Sequence, residues 1–296
     1  MGTNDMTIQR IGIVIKFDHP QKEAILDTLT RWLRRRKKEV CLLSPSSNPP
    51  LHAIDMIVVL GGDGTLLSVA RQAQGHDILI LGVNLGSLGF LTEVTFHELY
   101  PNLTRIFRNQ FMEDPRRMLT CHIRRGKTLL RQPSVLNEIV INSGTRVKLI
   151  QLSVTINGLF VTALRADGLI VATPTGSTGY ALSVGGPILH PSLDAILLAP
   201  VSPQTLTHRP IVVPSDAQIE ISLKTADPGP VIAFDGQAFF PLQAEDVIHI
   251  QVSSKWLKLI RSPDRNYYQV LREKLRWGTP AESSMLRTAD EADPRS

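Results

Sequence analysis

The first 110 residues alternate between short apolar runs and segments whose apolar residues recur at helical spacing. The apolar runs suited to buried strands lie at 11–16, 40–43, 56–60 and 78–83, and the helical patterns lie at 21–38, 66–73 and 96–108. Strands that alternate with helices are typical of a parallel sheet flanked by helices. The pattern therefore predicts an N-terminal, Rossmann-like α/β domain over residues 1–110.

After residue 110 the pattern changes to short strands separated by turn residues. Asn157-Gly158 between two apolar segments is a strong signal for a β-hairpin. The other predicted strands lie at 117–123, 128–131, 135–141, 193–198, 211–213, 219–223, 231–234, 247–252 and 256–260. We therefore expect an all-β domain, a β-sandwich, over 111–263. A last helix within 264–278 is expected to dock back on the first domain, and the polar tail at 279–296 is expected to be disordered.

Composition narrows the class of protein. The 296 residues are 43% hydrophobic and 20% charged, as in an ordinary globular protein, with a net charge of +5 that suits anionic ligands. Aromatic residues are only 5%, so a base-stacking nucleic-acid surface is not expected. No apolar run reaches the roughly 20 residues that span a membrane, and the first ten residues lack the apolar core of a signal peptide. These features predict a cytoplasmic protein with no membrane partner.

Neither the two cysteines nor the basic cluster at 34–38 indicates a functional site. The two cysteines, Cys41 and Cys121, lie in apolar, strand-like settings, which argues against a disulfide framework or a cysteine metal site. The basic cluster at 34–38 falls at the end of the first predicted helix, where cations complement the helix dipole. We interpret the cluster as a solvated helix end.

The segment Gly61-Gly62-Asp63-Gly64-Thr65 follows a buried apolar run and precedes a helical pattern. Its glycines let the backbone adopt positive φ and let a phosphate approach the peptide N–H groups. A tight turn with Asp63 as a helix cap is the alternative, but the glycines exceed what such a turn requires. The segment predicts a phosphate loop, made of Gly61, Gly62, Gly64 and Thr65, with Asp63 at the reacting centre. No Walker-type lysine follows, so the loop is not that of a P-loop NTPase.

Two other segments combine polar residues with an apolar setting. Asn137 and Glu138 interrupt the apolar run at 135–141, and burying such groups unpaired costs about 1–3 kcal/mol each. They therefore either meet water at a strand edge or serve a ligand. The segments 165–168 and 173–183 are dense in glycines and small hydroxyl residues, which can wrap a polar ligand, and Tyr180 offers a ring to pack on a base or nicotinamide. By composition alone, these segments could also be a mobile linker.

Taken together, these segments resemble the NAD kinase family, the ATP-NAD kinases of bacterial type. The matching motifs are at 61–65, 84–92, 137–138, 167–168 with 173–178, 209–214, and 234–237. Their order and spacing match over about residues 11–275. Chance is a poor explanation for agreement across several independent motifs.

This resemblance implies an α/β domain, a C-terminal β-sandwich and an active site in the crevice between them. It implies transfer of the γ-phosphoryl group of ATP to the 2′-hydroxyl of the adenosine ribose of NAD, which makes NADP. Mg²⁺ is the expected divalent cation, and the sequence assigns it no protein ligand. Some members accept polyphosphate as well as ATP, and the sequence favours neither donor. The family commonly forms homodimers or homotetramers with sites near subunit contacts.

The resemblance also implies roles for individual residues. Asp63 is the expected general base for the 2′-hydroxyl, and such a base contributes about 10²–10⁴ in rate. Asn137 and Glu138 are expected to hold the adenosine half of NAD. Arg165 stands where family members that favour NAD over NADH carry arginine. The expected nucleotide-binding residues are Asp63, Gly64, Asn137, Glu138, Lys148, Arg165, Asp167, Thr178, Gly179, Tyr180, Ala181, Leu182, Ser183 and Gln237.

A few positions depart from the family pattern. Gly179 stands where alanine is common before the tyrosine, which we expect to loosen that turn slightly. Gln204 stands where histidine is frequent, and Leu85 and Ser87 are neutral in a segment that frequently carries arginine. None of these departures removes a proposed catalytic group.

Other classes of protein share parts of this pattern. Lipid kinases of the diacylglycerol or sphingosine type, and sugar kinases of the phosphofructokinase type, also use a Gly-Gly-Asp-Gly loop, but the segments at 137–138 and 167–183 argue against both. An NAD-dependent dehydrogenase would need Gly-x-Gly-x-x-Gly after the first strand, where the residues at 16–20 read Lys-Phe-Asp-His-Pro. A non-catalytic dinucleotide sensor could keep every pocket residue but would not need Asp63.

Overall fold

The structure is a computed structural model that describes residues 7–16, 18–44, 51–145, 148–224, 229–262 and 264–277. The tail at 279–296, expected to be disordered, lies outside the described residues. The helices are α1 (Lys22–Arg34), α2 (Asp63–Ala73), α3 (Leu99–Ile106), α4 (Tyr180–Ser183) and α5 (Tyr267–Leu275). Short 3₁₀ turns lie at Leu51–Ala53, Phe96–Glu98 and Thr175–Thr178.

Nineteen strands form three sheets within the described residues. The strands of the first half are β1 (Arg10–Ile15), β2 (Glu39–Leu42), β3 (Met56–Leu60), β4 (Leu79–Asn84), β5 (Val94–Thr95), β6 (Met112–Arg116), β7 (Leu119–Arg125), β8 (Thr128–Arg131) and β9 (Glu138–Asn142). Those of the second half are β10 (Ile150–Ile156), β11 (Leu159–Ala166), β12 (Gly168–Ala172), β13 (Ala195–Val201), β14 (Ile211–Pro214), β15 (Ile219–Leu223), β16 (Val231–Phe234), β17 (Ala238–Pro241), β18 (Val247–Val252) and β19 (Leu257–Arg261).

Sheet 1 has the order β2-β1-β3-β4-β19-β6, with β5 beside β4. All of its pairs are parallel except that of β19 with β6. Helices α1 and α3 pack on one face and α2 packs on the other. Because both faces are covered, β3 and β4 are buried along their whole length, which explains their uninterrupted apolar runs. This arrangement confirms the predicted Rossmann-like, parallel-sheet domain.

Two strands of sheet 1 come from a part of the chain that the sequence assigned to the second domain, 111–263. Strand β6 pairs antiparallel with β19, and β19 lies parallel to β4. The apolar pattern of β19 is compatible with either sheet, because periodicity predicts a strand but not its neighbour. The chain therefore returns to sheet 1 before α5, whose Val270 and Leu271 are buried.

Sheets 2 and 3 are antiparallel and pack face to face as a β-sandwich, as predicted. Sheet 2 has the order β11-β10-β15-β18-β7-β8, and sheet 3 has the order β14-β13-β12-β9-β16-β17. Their facing side chains form one apolar core. In the β10–β11 hairpin, Asn157 and Gly158 have φ of 52° and 77°, which confirms the turn that the sequence predicted.

Strand β12 was not predicted: the sequence analysis interpreted the flanking segments 165–168 and 173–183 as a ligand-wrapping loop or a linker. Gly168–Ala172 is fully buried and pairs with β9 on one side and β13 on the other. A run of small and apolar residues suits a central strand, but the dense glycines and hydroxyls that follow it obscured the signal. No helix in the described ranges has both the length and the apolar character needed to cross a bilayer.

Candidate functional site

A cavity of about 560 Å³ lies at the carboxyl edge of sheet 1. Lys16 follows β1, Gly61 follows β3, and Asn84 ends β4, so three parallel strands deliver their next residues to the same edge. The chain leaves β1 toward β2 on one side and later enters β3 on the other side, which makes this edge a topological switch point. Open α/β sheets bind their ligands at such points. The residues that line the cavity are Lys16, His19, Gly61, Gly62, Gly64, Thr65, Asn84, Leu85, Gly86 and Ser87.

The predicted phosphate loop forms one wall of this cavity, but its glycines do not have the conformation that the sequence suggested. None of Gly61, Gly62 and Gly64 has positive φ, so that expectation was wrong. Gly62 and Gly64 provide space instead, whereas a Cβ on Gly61 would lie 2.5 Å from Thr65 Oγ1. Apart from neighbouring backbone, no described atom lies within 4 Å of a Cβ built on Gly62, and a Cβ on Gly64 meets only Gln237 Nε2, at 3.8 Å. The open backbone leads into the N-terminus of α2, where free N–H groups and the helix dipole favour an anion.

Asp63 is the first residue of α2, and its carboxylate is turned toward the neighbouring loop. Its Oδ2 accepts the N–H of Phe90 at 2.8 Å. Its Oδ1 accepts the N–H groups of Leu91 and Thr92 and the Thr92 hydroxyl, each at 3.1 Å. The helix-cap alternative is therefore not observed. Because Oδ2 accepts a single hydrogen bond from the described residues, it keeps capacity for one more proton donor.

Asn84 holds the start of the same loop. Its side chain is buried, and Nδ2 donates to the Ser87 carbonyl and, at 3.0 Å, to Thr92 Oγ1. Its Oδ1 accepts the N–H of Gly86. Asn84 and Asp63 therefore fix the 84–92 loop from its two ends, beside the cavity.

In the sandwich, Asp235 organises the segment that contains Asn137 and Glu138. Its carboxylate accepts three backbone N–H groups, from Leu136 at 3.0 Å, Asn137 at 2.9 Å and Glu138 at 3.1 Å. Asp235 itself lies in the turn between β16 and β17 with φ of 49°. The sequence analysis included Asp235 in a family motif but did not place it among the site residues. The available signal was the Asp-Gly pair at the end of a buried strand.

Asn137 and Glu138 are not at a water-exposed strand edge. Glu138 begins the central strand β9 and is 8% exposed. Burial, together with the Asp235 charge, raises the pKa of Glu138 to about 7, although the Tyr180 N–H opposes this shift. Asn137 Oδ1 and Glu138 Oε2 are buried with no hydrogen-bond partner among the described residues. Buried polar atoms are normally paired, so two neighbouring exceptions indicate a place for a polar ligand.

The segment 173–183 is an ordered loop, not a mobile linker, and we call it the dinucleotide loop after the role that the sequence predicts for it. Thr173 Oγ1 donates to the Leu136 carbonyl at 2.6 Å and accepts the N–H of Gly176. Ser177 is buried and bonds the carbonyl of Pro174 and the N–H of Leu189. The predicted residues Thr178, Gly179, Tyr180, Ala181, Leu182 and Ser183 follow in its last turns.

These turns lie against the Asn137–Glu138 pair. A Cβ on Gly179 would lie 2.9 Å from Glu138 Oε2, and a Cβ on Gly176 would lie 2.2 Å from the Asn137 carbonyl oxygen. The Tyr180 side chain is 44% exposed, so its ring is accessible. The loop therefore presents one accessible aromatic ring next to two unpartnered polar atoms.

Gln237 connects the sandwich to the phosphate loop. Its Nε2 donates to the Gly64 carbonyl at 2.6 Å, and its Oε1 accepts from Arg71 Nη2 at 3.0 Å. Gln237 lies two residues after Asp235 in the same turn. The structure therefore brings together Asp63, Gly64, Asn137, Glu138, the dinucleotide loop and Gln237.

Three predicted residues lie elsewhere. In sheet 3, β9 and β12 run antiparallel, with Ala172 opposite Glu138. Asp167 precedes β12 at its other end, about 17 Å away along five extended residues. Arg165 lies at the end of β11, and Lys148 lies just before β10, at the same end of the sandwich as Asp167. All three side chains are exposed, so within one chain they do not join the group around Glu138.

Sequence reasoning missed Lys16 and His19, which line the cavity. The segment at 16–20 was considered only because it lacks a dinucleotide-binding glycine motif. The available signal was its position directly after a buried parallel strand, since such residues lie at the ligand-binding edge.

Comparison with known proteins identifies the family. Residues 50–111 match the family model of the ATP-NAD kinase N-terminal domain, and residues 136–262 match that of the C-terminal domain. The chain is 43% identical to an NAD kinase of Magnetococcus marinus, over 95% of this chain and 99% of that protein. It is 42% identical to an NAD kinase of Geotalea daltonii, over 92% and 99%.

Two solved structures are similar over most of the chain. The crystal structure of yeast NADH kinase complexed with NADH has a TM-score of 0.83 and 25% identity, covering 93% of this chain and 90% of that one. The crystal structure of an NAD kinase from Archaeoglobus fulgidus in complex with ATP has a TM-score of 0.75 and 28% identity, covering 90% and 99%. Family models match both halves of the chain, and its relatives align with it over nearly their whole length. This chain therefore belongs to the NAD kinase family.

Proposed function

We propose that this protein transfers the γ-phosphoryl group of ATP to the 2′-hydroxyl of the adenosine ribose of NAD. The observation that carries this proposal is the pair of buried, unpartnered atoms Asn137 Oδ1 and Glu138 Oε2, connected through Gln237 to the phosphate loop at Gly64. A dinucleotide bound at Asn137 and Glu138 would present its ribose to an ATP molecule bound at the phosphate loop. Related structures hold NADH in the yeast enzyme and ATP in the archaeal enzyme, which supports sites for both substrates.

In this proposal Asp63 is the general base. Its carboxylate is fixed at the start of α2 by the 84–92 loop, and Oδ2 keeps capacity for the substrate hydroxyl. A positioned base contributes about 10²–10⁴ in rate. The larger share of the acceleration comes from alignment of the two substrates and from charge stabilisation by the loop N–H groups. Asn137 and Glu138 hold the adenosine half, and Tyr180 packs on a ring of the dinucleotide.

We infer that Mg²⁺ is held mainly by the phosphates of the donor. The described residues contain no group of three or more His, Cys, Asp or Glu side chains arranged to hold a metal ion. Magnesium in kinases is commonly bound through substrate phosphates and water with few protein carboxylates. The ion would neutralise the charge of the transferred group, and Asp63 Oδ2 stays available for the substrate hydroxyl.

We also propose a homodimer or homotetramer. Lys148, Arg165 and Asp167 match nucleotide-binding positions of the family, yet they lie at the far end of sheet 3 from Glu138. A second copy could bring this group to the first copy's dinucleotide. Light scattering of the purified protein tests the assembly, and a monomer that turns over NAD at full rate would contradict it. The cytoplasmic location stays a prediction.

Incubation with ATP, Mg²⁺ and NAD, followed by measurement of NADP, tests the proposed reaction. NADH, diacylglycerol and fructose 6-phosphate serve as parallel acceptors. We expect product with NAD only, or much faster than with NADH, as Arg165 suggests. Turnover of the lipid or the sugar, or NAD binding without any turnover, would contradict the proposal.

A further inference from the structure

Arg116 is a buried arginine where the chain passes from sheet 1 to the sandwich. It is the last residue of β6, and it is 4% exposed. A guanidinium is retained in a protein interior only when its N–H groups are paired, so its partners show what it does there.

The guanidinium joins an acid of sheet 1 to the dinucleotide loop. Nε and Nη2 form a two-point contact with the Asp114 carboxylate, at 2.9 and 2.6 Å. Nη1 donates to Thr175 Oγ1 at 3.1 Å, and Thr175 is itself buried. The Asp114 contact fixes the plane of the guanidinium, because a bidentate pair leaves little rotational freedom. Asp114 therefore holds Nη1, the third donor, in the direction of Thr175.

The charge of Arg116 also acts on Glu93, next to the 84–92 loop that Asp63 holds. Glu93 directly follows this loop, is buried, and has an Oε2 atom with no hydrogen-bond partner among the described residues. Burial raises the pKa of Glu93, while the charges of Arg261 and Arg116 lower it by less. The Glu93 carbonyl accepts from Arg265 Nη1 at 2.7 Å. Arg116 thus interacts with the residue that follows the loop holding the proposed base, and it donates a hydrogen bond to the dinucleotide loop.

Movement of Thr175 would reach the dinucleotide site directly. Thr175 begins the 3₁₀ turn Thr175–Thr178, and the next residue, Gly176, lies so close to Asn137 that a Cβ would be 2.2 Å from its carbonyl oxygen. Gly179, at the end of the turn, touches Glu138 Oε2 in the same way. A shift of this turn toward Asn137 or Glu138 would therefore displace that pair, because Gly176 and Gly179 already approach it closely.

We propose that Arg116 is a positioning residue for dinucleotide binding, which acts through its hydrogen bond to Thr175 and sets the dinucleotide loop against Asn137 and Glu138. This inference rests on the proposed function. It assigns Arg116 no contact with either substrate. The expected signature is a change in NAD affinity that exceeds the change in kcat.

Substitution of Thr175 tests the contact with little change in volume. Thr175→Val removes the hydroxyl, and Thr175→Ser keeps it. We expect Thr175→Val to raise the calorimetric Kd for NAD, measured without ATP, about tenfold, the effect of losing one hydrogen bond to a charged group. We expect kcat at saturating NAD to fall less than about threefold, because only affinity is altered. Thr175→Ser should bind NAD within about twofold of the wild type, since it keeps the hydroxyl that accepts the bond.

Thr120→Val is the matched control. It removes an exposed hydroxyl on β7 that donates to the Gln251 carbonyl.

A double-mutant cycle shows whether Arg116 acts through Thr175. Arg116→Lys keeps the charge but loses the planar fork. If Arg116 acts through Thr175, the Kd for NAD of the double variant does not exceed the higher of the two single-variant Kd values. Additive effects would overturn the proposal, and so would Thr175→Val with wild-type NAD affinity. If Thr175→Val does not fold, Arg116→Lys alone decides, because wild-type affinity in that variant also contradicts the role. A wild-type protein that binds NAD but makes no NADP would refute the proposed function and leave this affinity test intact.

Discussion

The Asp63 carboxylate occupies the space in which a side chain on Gly89 would begin. A Cβ built on Gly89 would lie 2.0 Å from Asp63 Oδ1 and 2.5 Å from Thr92 Oγ1. The glycine is therefore required by the close approach of the carboxylate to the 84–92 loop. This contact, with the four hydrogen bonds around Asp63, fixes the position of the proposed base.

Gly89→Ala should displace Asp63. Because misplacement of a catalytic group by about 1 Å costs about 10²-fold in rate, we expect kcat to fall by about that factor. We expect a loss of about 1–3 kcal/mol in the free energy of unfolding from overpacking. Steady-state kinetics and urea unfolding measure the two effects.

Gly12→Ala is the control for Gly89→Ala. A Cβ on Gly12, in β1, would lie 2.6 Å from Leu43 Cδ1, so it also overpacks the domain, but away from Asp63. It should lose stability and keep kcat. Equal kcat losses in the two variants would show that the Gly89 effect is general destabilisation.

Asp235→Asn should destabilise the sandwich and weaken NAD binding together. The amide can accept at only one of its two polar atoms, so part of the Leu136–Glu138 backbone loses its partner. A buried donor left unpaired costs about 1–3 kcal/mol, and urea unfolding should show a loss of that size. Asp194→Asn is the matched control, because Asp194 is exposed and forms a surface ion pair with Arg117. Similar losses in both variants would refute the organising role of Asp235.

Glu138 should make stability depend on pH. Its pKa is about 7 in the folded protein against an ordinary 4.5. The folded state therefore binds the proton more tightly, and the stability that this supplies is present below pH 4.5 and is lost as the pH rises through 7. Between pH 5 and 8 the wild type should lose roughly 2–3 kcal/mol more than Glu138→Gln, which cannot titrate. Urea unfolding at the two pH values measures this difference, and parallel pH dependences would contradict it.

Much of the fold followed from local pattern. Strands such as Met56–Leu60 and Ile219–Leu223 have the limits that their apolar runs predicted. Local pattern did not predict which strands pair with each other. A run such as Leu257–Arg261 suits any buried strand, and only the tertiary structure pairs it with β4. Gly168–Ala172 was missed for another reason, because its short apolar run merges into the dinucleotide loop.

Much of the site was predicted through motifs, whereas the supporting residues were not. Asp63, Asn137 and Glu138 stand out as polar residues in apolar or glycine-rich settings. Asp235 and Arg116 were missed because their role consists of contacts with segments far away in the sequence, which no local pattern records. His19 was missed because its position at the cavity depends on the order of strands in sheet 1.

Asp63→Asn tests the central claim most directly. Turnover of NAD by ATP and Mg²⁺ and the calorimetric Kd for NAD should be measured on the same preparation. We predict that NAD binding is kept while kcat falls at least about 10²-fold, as loss of a general base requires. Normal turnover in this variant would show that Asp63 only holds the 84–92 loop and is not the base.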